Sequence, residues 1–230
     1  MERRKKLIIA IIAVAAIGIF AIFGGLLLGE PNLSIGDKKV LVLAVDKDEQ
    51  PNGGVDMAFM VDIKDGSVKK YTPVYPGGMM HPTQSAPAHL SGTMFLHDSL
   101  WDGREQGMEY AKEIVEFNTG MRADAVLVVT DEGLDAIIDS IRPFKVNRTV
   151  TELSATDIVR ENDQLYGNGM TRGDAVMVLV RGLTQAATDL DKRNTMVQVA
   201  LDQYSKGNIV MNPEGSFRAL MAVKGLEALV

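Results

Sequence analysis

The chain of 230 residues has no cysteine, which excludes disulfides, thiolate nucleophiles, thiolate metal sites and acylation of a lipoprotein cysteine. It also lacks a Gly-x-Ser-x-Gly elbow, a phosphate-binding P-loop and a Gly-x-Gly-x-x-Gly turn. Serine-hydrolase, nucleotide-hydrolase and dinucleotide chemistry therefore have no motif to rest on. Basic charge is scarce outside one place. Residues 1–6 hold four of the 24 Lys and Arg with one acid, leaving 20 bases against 29 acids, a net of −9, in the rest. A basic tip on an acidic body argues against a general binder of nucleic acid. Eight Pro and 22 Gly are too few for a collagen-like or broadly disordered chain. The length suits one globular domain of roughly 150–200 residues and not two large ones.

Charge is also missing from the 22 residues between Leu7 and Leu28. At about 1.5 Å of rise per residue they are long enough to cross a hydrocarbon layer of about 30 Å. A cleaved signal peptide has a shorter apolar core, about 7–15 residues, so the expectation is a retained transmembrane helix over residues 7–28. The positive-inside rule keeps residues 1–6 in the cytoplasm and sends everything after Glu30 outside. The chain is expected in the cell membrane as a single-pass protein partnered by the bilayer, with a spacer at 29–38 and an extracytoplasmic domain at 39–230. Two glycosylation sequons, at Asn32 and Asn147, fall on that outer side.

The run Val40–Val45 is rich in β-branched residues and too short for an isolated helix, so it predicts a buried strand ending at Asp46. Ala58–Ile63 and Val68–Thr72 predict a hairpin closed by the Asp65-Gly66 turn. Four prolines between Pro73 and Pro87 predict a loop with no regular ladder or helix. Further along, the apolar spacing predicts a helix over 105–118 stopped by Gly120, a strand over 125–129 and a helix capped by Thr130 or Asp131 running to Ile141. The last third predicts helices after Ser154, after Thr171, over 189–204 and from Glu214 to Leu229. The fold class is α/β, a mixed sheet sandwiched between helices.

The candidate chemistry centres on Asp46 and Asp56, at the exit of the first strand and the entry to the second. Two convergent carboxylates at such strand ends can hold Mg²⁺ or Mn²⁺ against a phosphate, or can simply cap strands and brace turns. Arg172, Arg181, Lys192 and Arg193 in the helical third can contact phosphate or lie on solvated helix faces. His81, His89 and His97, spaced eight apart, match no usual zinc motif. Asp98, Asp102 and Glu105 around Trp101 predict an exposed acidic helix start.

In this order, the elements resemble the LytR-CpsA-Psr family. The segment Val40-Leu-Val-Leu-Ala-Val-Asp46 is similar to its opening strand and Gly-x-Asp turn, with Ala44 where glycine is usual. Gly53-Gly-Val-Asp56-Met-Ala-Phe-Met-Val-Asp-Ile63 is similar to its Arg-Ser-Asp-Thr element. The block from His89 to Ile141, with Thr119-Gly120 ending a helix, and the helical block from Gly169 to Tyr204 complete the resemblance over about 170 residues. It implies an α/β sandwich around an apolar pocket for a polyprenyl-(pyro)phosphate glycolipid, and transfer of envelope polymer from that carrier to the cell wall. It further implies Mg²⁺ at Asp46 and Asp56, and phosphate contacts from Arg181 and from Lys192 or Arg193. The chain departs from the pattern at Gly54, at Lys47-Asp48, at Thr72–Pro76, at Leu183 and at Thr195-Met196, where the family carries arginines or an Ile-Pro-Arg-Asp hairpin. Lys47 is the cation nearest to one of the missing arginines. A lost charge-assisted contact costs roughly 1.5–3 kcal/mol, so the alternative expectation is a non-catalytic envelope binding or scaffold domain that keeps the fold.

Overall fold

The computed structural model describes residues 33, 36–64, 67–74, 78–88, 90–146, 148–153, 158, 172–214 and 216–217. The apolar segment 7–28, both sequon asparagines, the helix start at 154–157 and most of the helix expected from Glu214 lie outside them. Among the described residues no helix is long and apolar enough to cross a membrane.

A five-stranded sheet in the order β3-β2-β1-β6-β9 forms the centre. Its strands are β1 (Asp37–Asp46), β2 (Gly54–Lys64), β3 (Ser67–Val74), β6 (Ala125–Thr130) and β9 (Ile209–Asn212). The predicted hairpin is β2 and β3, with Ala58 opposite Val74 and Lys64 opposite Ser67. β1 runs antiparallel to β2 and parallel to β6, and β9 closes the far edge antiparallel to β6. β1 is apolar on both sides because both sides are covered: Val40, Val42 and Ala44 face one core cluster and Leu41, Leu43 and Val45 the other.

Helices fill the two faces. Helix α1 (Arg104–Thr119) lies on one, through Met108, Ala111, Ile114 and Val115. On the other are α2 (Asp131–Ser140), α3 (Arg172–Ala186) and α4 (Leu190–Ser205), through Leu134, Ile137, Leu179, Leu183, Met196 and Ala200. The caps follow from the residues at the ends. Gly120 closes α1 at φ 71°, in the left-handed region that favours glycine. The Thr130 hydroxyl accepts from the Gly133 N–H at 3.2 Å to open α2, and the Asp189 carboxylate accepts from the N–H groups of Asp191 and Lys192 to open α4.

The proline-rich stretch corrects one expectation. β3 continues through Pro73 to Val74, and β4 (Met80–Ser85) pairs with β5 (Thr93–Phe95) across Pro82. Both prolines are tolerated for a positional reason: β3 is an edge strand, and the β4–β5 ladder is irregular between Met80 and Ser85, where Pro82 sits. β7 (Phe144–Val146) and β8 (Thr149–Thr151) form a second small ribbon, against which α3 packs.

Candidate functional site

Because β1 and β6 are parallel and β2 is antiparallel to β1, the end of β1, the start of β2 and the end of β6 share one edge of the sheet. Asp46 closes β1 there, opposite Gly54, and the chain leaves β6 at Thr130 to enter α2 at Asp131. Ligands in open α/β sheets bind at such carboxyl ends. Asp46 is 5% exposed, and its Oδ1 accepts from the Asp48 N–H at 2.9 Å, which shapes the turn that follows.

Asp131 was not singled out by sequence reasoning, which took it only as a possible cap. Its Oδ1 is buried with no hydrogen-bond partner. Burial pushes its carboxyl up to about 6, with the nearby charges of Asp46 and Glu132 adding to the shift and the backbone N–H of Glu132 opposing it. Two carboxylates, one buried and one short of a partner, therefore meet at the rim. The signal in the sequence was an acid directly after a buried strand on a capped helix, indistinguishable there from an ordinary first-turn acid.

The other residues at this edge form a polar collar. Lys47 is bound to Glu132, Nζ to Oε2 at 2.7 Å, and the pairing raises its pKa. His97 Nδ1 lies 2.9 Å from Asp98 Oδ1 and 2.9 Å from Gln50 Nε2, while His97 Nε2 lies 3.5 Å from Glu49. Gln50 also donates to Asp98 Oδ1 at 2.8 Å. Asp98 is thus buried in a network, where an exposed helix start was expected. A side chain at Gly54 would begin within 3.1 Å of His97 and Glu49, so the imidazole and carboxylate occupy the space that the family arginine needs. Arg104, its pKa lowered by burial, donates to the carbonyls of Asn52 and Gly207 and ties α1 to this edge.

The remaining candidates separate. Asp56 is the extra residue of a β-bulge, where the register steps from Ala44 opposite Met57 to Val45 opposite Val55; its side chain lies outside the described residues, as does that of Arg172. Lys192 is withdrawn from any phosphate role, because its Nζ donates to the carbonyls of Ile141 at 2.7 Å and Pro143 at 2.9 Å, where α2 ends. Arg181 is exposed on α3 and Arg193 half-buried on α4. Leu183, where the family carries a second helical arginine, is fully buried in the core, and so is Met196. The histidines do not converge. His81, 5% exposed, accepts at Nδ1 from the N–H groups of Thr83 and Gln84 and donates from Nε2 to Glu113 at 2.6 Å, a fixed neutral tautomer that braces β4 on α1. His89 lies outside the described residues. Among the described residues no group of three or more His, Asp or Glu forms a metal site.

The family model described as "Protein of unknown function (DUF4012)" matches residues 36–166, over half of the chain. No curated protein matches. Several solved structures do. The chain is 13% identical to protein gbs0355 from Streptococcus agalactiae, with a TM-score of 0.54 over 84% of this chain and 74% of that one. It is 14% identical to TagV from B. subtilis, with a TM-score of 0.50 over 83% and 80%, and 14% identical to the Lin1025 protein from Listeria innocua, with 0.51 over 84% and 80%. These neighbours include LytR-CpsA-Psr proteins, so the resemblance read from the sequence holds at the level of the fold.

Proposed function

The chain belongs to the DUF4012 family, and on that premise we propose that it is a single-pass membrane protein whose extracytoplasmic domain binds a polyprenyl-(pyro)phosphate-linked glycan and serves in attaching or assembling cell-envelope polymer. The observation that carries the reading is the meeting of Asp46 and Asp131 at the carboxyl ends of the parallel strands. Mg²⁺ is held typically by one or two carboxylates, keeps several waters and completes its shell with phosphate oxygens. The partnerless Oδ1 of Asp131 beside buried Asp46 fits that demand. When bound, the ion would neutralise charge on the phosphate. The chain's own contribution is to present the two carboxylates from rigid strand and helix ends, with Asp56 on the adjacent bulge. The acidic rim makes a bare pyrophosphate an unsuitable ligand without a cation.

A second reading, a non-catalytic envelope binding or scaffold domain, is supported by the fate of the cations. Lys192 is spent on backbone carbonyls, Lys47 on Glu132, and Leu183 replaces an arginine with a core residue. Both readings share the ligand and differ in turnover. The full chain, purified from a membrane-containing host in detergent, is expected to carry polyprenyl phosphate detectable by mass spectrometry. Mg²⁺ is expected to bind by calorimetry and to weaken at least tenfold in Asp46→Asn or Asp131→Asn. Absence of lipid together with unchanged Mg²⁺ affinity refutes the binding site. Bound lipid without transfer to any acceptor polymer selects the scaffold.

A further inference from the structure

The opposite edge of the sheet carries a second charged feature that the proposed site does not use. A groove of about 630 Å³ is lined there by Lys38, Lys39, Lys64, Lys69 and Arg122, with Asp37, Asp62 and Asp124 among them. Topology makes this one place. Asp37 at the start of β1 pairs with Lys64 at the end of β2. Lys69 follows on β3, and Arg122 lies in the turn before β6, whose first residue pairs with Val40. The Lys39 ammonium is already neutralised by Asp62, and Asp124 accepts from the Lys39 N–H at 2.7 Å. Lys38, Lys64, Lys69 and Arg122 have no side-chain ion pair or hydrogen bond among the described residues. Four uncommitted cations therefore cluster on a chain whose residues beyond 6 total −9.

The edge is also the one from which the chain leads back to its apolar segment. Leu33 is 5% exposed and packed in the core with Val40 and Val42. It lies five residue steps beyond Leu28, a span of at most about 18 Å. Asp46 lies nine strand steps beyond Asp37, about 30 Å farther along β1. Phe117, 65% exposed on the last turn of α1, stands five residues before Arg122, and exposed aromatic rings suit the interfacial layer of a bilayer. The geometry points to this groove as a docking surface for the anionic phosphate headgroups of the membrane that anchors the chain. Docked there, the domain stands on its basic edge with Asp46 and Asp131 at its far end, so a carrier phosphate reaches them only with its polyprenyl chain drawn out of the bilayer along the domain. The inference rests on the anchored reading given above.

The absence of native cysteine permits a single dye on the full chain reconstituted into vesicles. Glu116→Cys marks the basic end of α1, and Asp102→Cys lies just before the first residue of α1, Arg104, which is twelve residues and about 18 Å along the helix from Glu116. Energy transfer to a headgroup dye is expected to be high from Glu116→Cys in phosphatidylglycerol–phosphatidylcholine vesicles. It should fall in phosphatidylcholine alone or at about 1 M salt, and be low throughout from Asp102→Cys. Replacing Lys64, Lys69 and Arg122 by Gln should lower the docked-to-free ratio about fivefold per cation, about a hundredfold in all. Lys145→Gln, Arg148→Gln and Lys206→Gln together, of equal net charge, should leave it unchanged. If the first triple variant melts early, Lys64→Gln alone with its fivefold loss replaces it. Transfer insensitive to lipid charge overturns the docking, as does an equal loss in the second triple variant. Displacement by inorganic phosphate at constant ionic strength also overturns it, by assigning the groove to a soluble ligand. Release of the chain by alkaline carbonate overturns the anchor and the docking together, whereas resistance to carbonate with charge-insensitive transfer overturns the docking alone.

Discussion

Replacing Asp131 by Asn should make the protein more stable and less able to bind. In the folded chain the Asp131 carboxyl is raised from 3.8 to about 6 by burial, reinforced by Asp46. Below about pH 4 both folded and unfolded forms hold the proton and there is no cost. As pH rises from about 4 to about 6 the unfolded form ionises first, so stability falls, and above about 6 the loss is complete. Two units at about 1.36 kcal/mol each set an upper value near 3 kcal/mol, and partial solvent contact reduces it to about 1–2 kcal/mol. Asp131→Asn keeps the shape and removes the charge. Calorimetric unfolding of the full chain in chelator should therefore show a gain of about 1–2 kcal/mol, roughly 3–6 °C, near pH 7.5 and almost none near pH 4. Mg²⁺ at about a hundred times its dissociation constant should stabilise the parent by about 2.7 kcal/mol and the variant, at least tenfold weaker in affinity, by no more than about 1.4 kcal/mol. A variant that is less stable at neutral pH, or equally stabilised at both, refutes the account of this carboxylate.

Other substitutions probe the scaffold around it. Thr130→Ala removes the cap of α2 and should cost about 1 kcal/mol by denaturant titration. Lys192→Met strips two carbonyls of their donor and should cost about 1–3 kcal/mol while lipid retention stays as in the parent; lost lipid with intact stability would return Lys192 to the binding site. At Gly107 a methyl group would meet the Ser99 carbonyl oxygen at 2.5 Å and the Leu100 Cα at 2.7 Å, so Gly107→Ala should destabilise by about 1–3 kcal/mol despite its better helix propensity. Leu127→Ala, fully buried in the central β6, should cost about 2–5 kcal/mol.

Much of the fold was legible because its signals are local. The apolar spacing of α1 with Gly120 behind it and the Thr130 cap predict their helices within a residue, while the runs at 40–45 and 58–63 predict strands that begin three and four residues earlier. β9 was missed because four residues between Gly207 and Pro213 look like a helix connection until β6 is there to pair with them. β4 was missed because Pro82 excludes a regular ladder but not an irregular one. The site was half legible. Asp46 stands at a strand end that sequence alone defines, whereas Asp131 joins it only through the parallel pairing of strands 79 residues apart, Asp46 to Ala125. Lys192 was misread because a cation's hydrogen-bond acceptors, here the carbonyls of Ile141 and Pro143, come from a distant turn.

The parallel neighbour of β1 also decides when the domain can be completed. Val40 pairs with Ala125, so after the first strand is synthesised about 85 more residues must follow, and at about 5–20 residues per second this takes roughly 4–17 s. During that interval the meander of β1, β2 and β3 can form, but β1, with its apolar run Val40–Val45, is left as its bare border, open to pairing with any other extended chain. Newly made copies held side by side on one messenger would be most prone to such mispairing, and slowing elongation should increase the aggregated fraction rather than help folding.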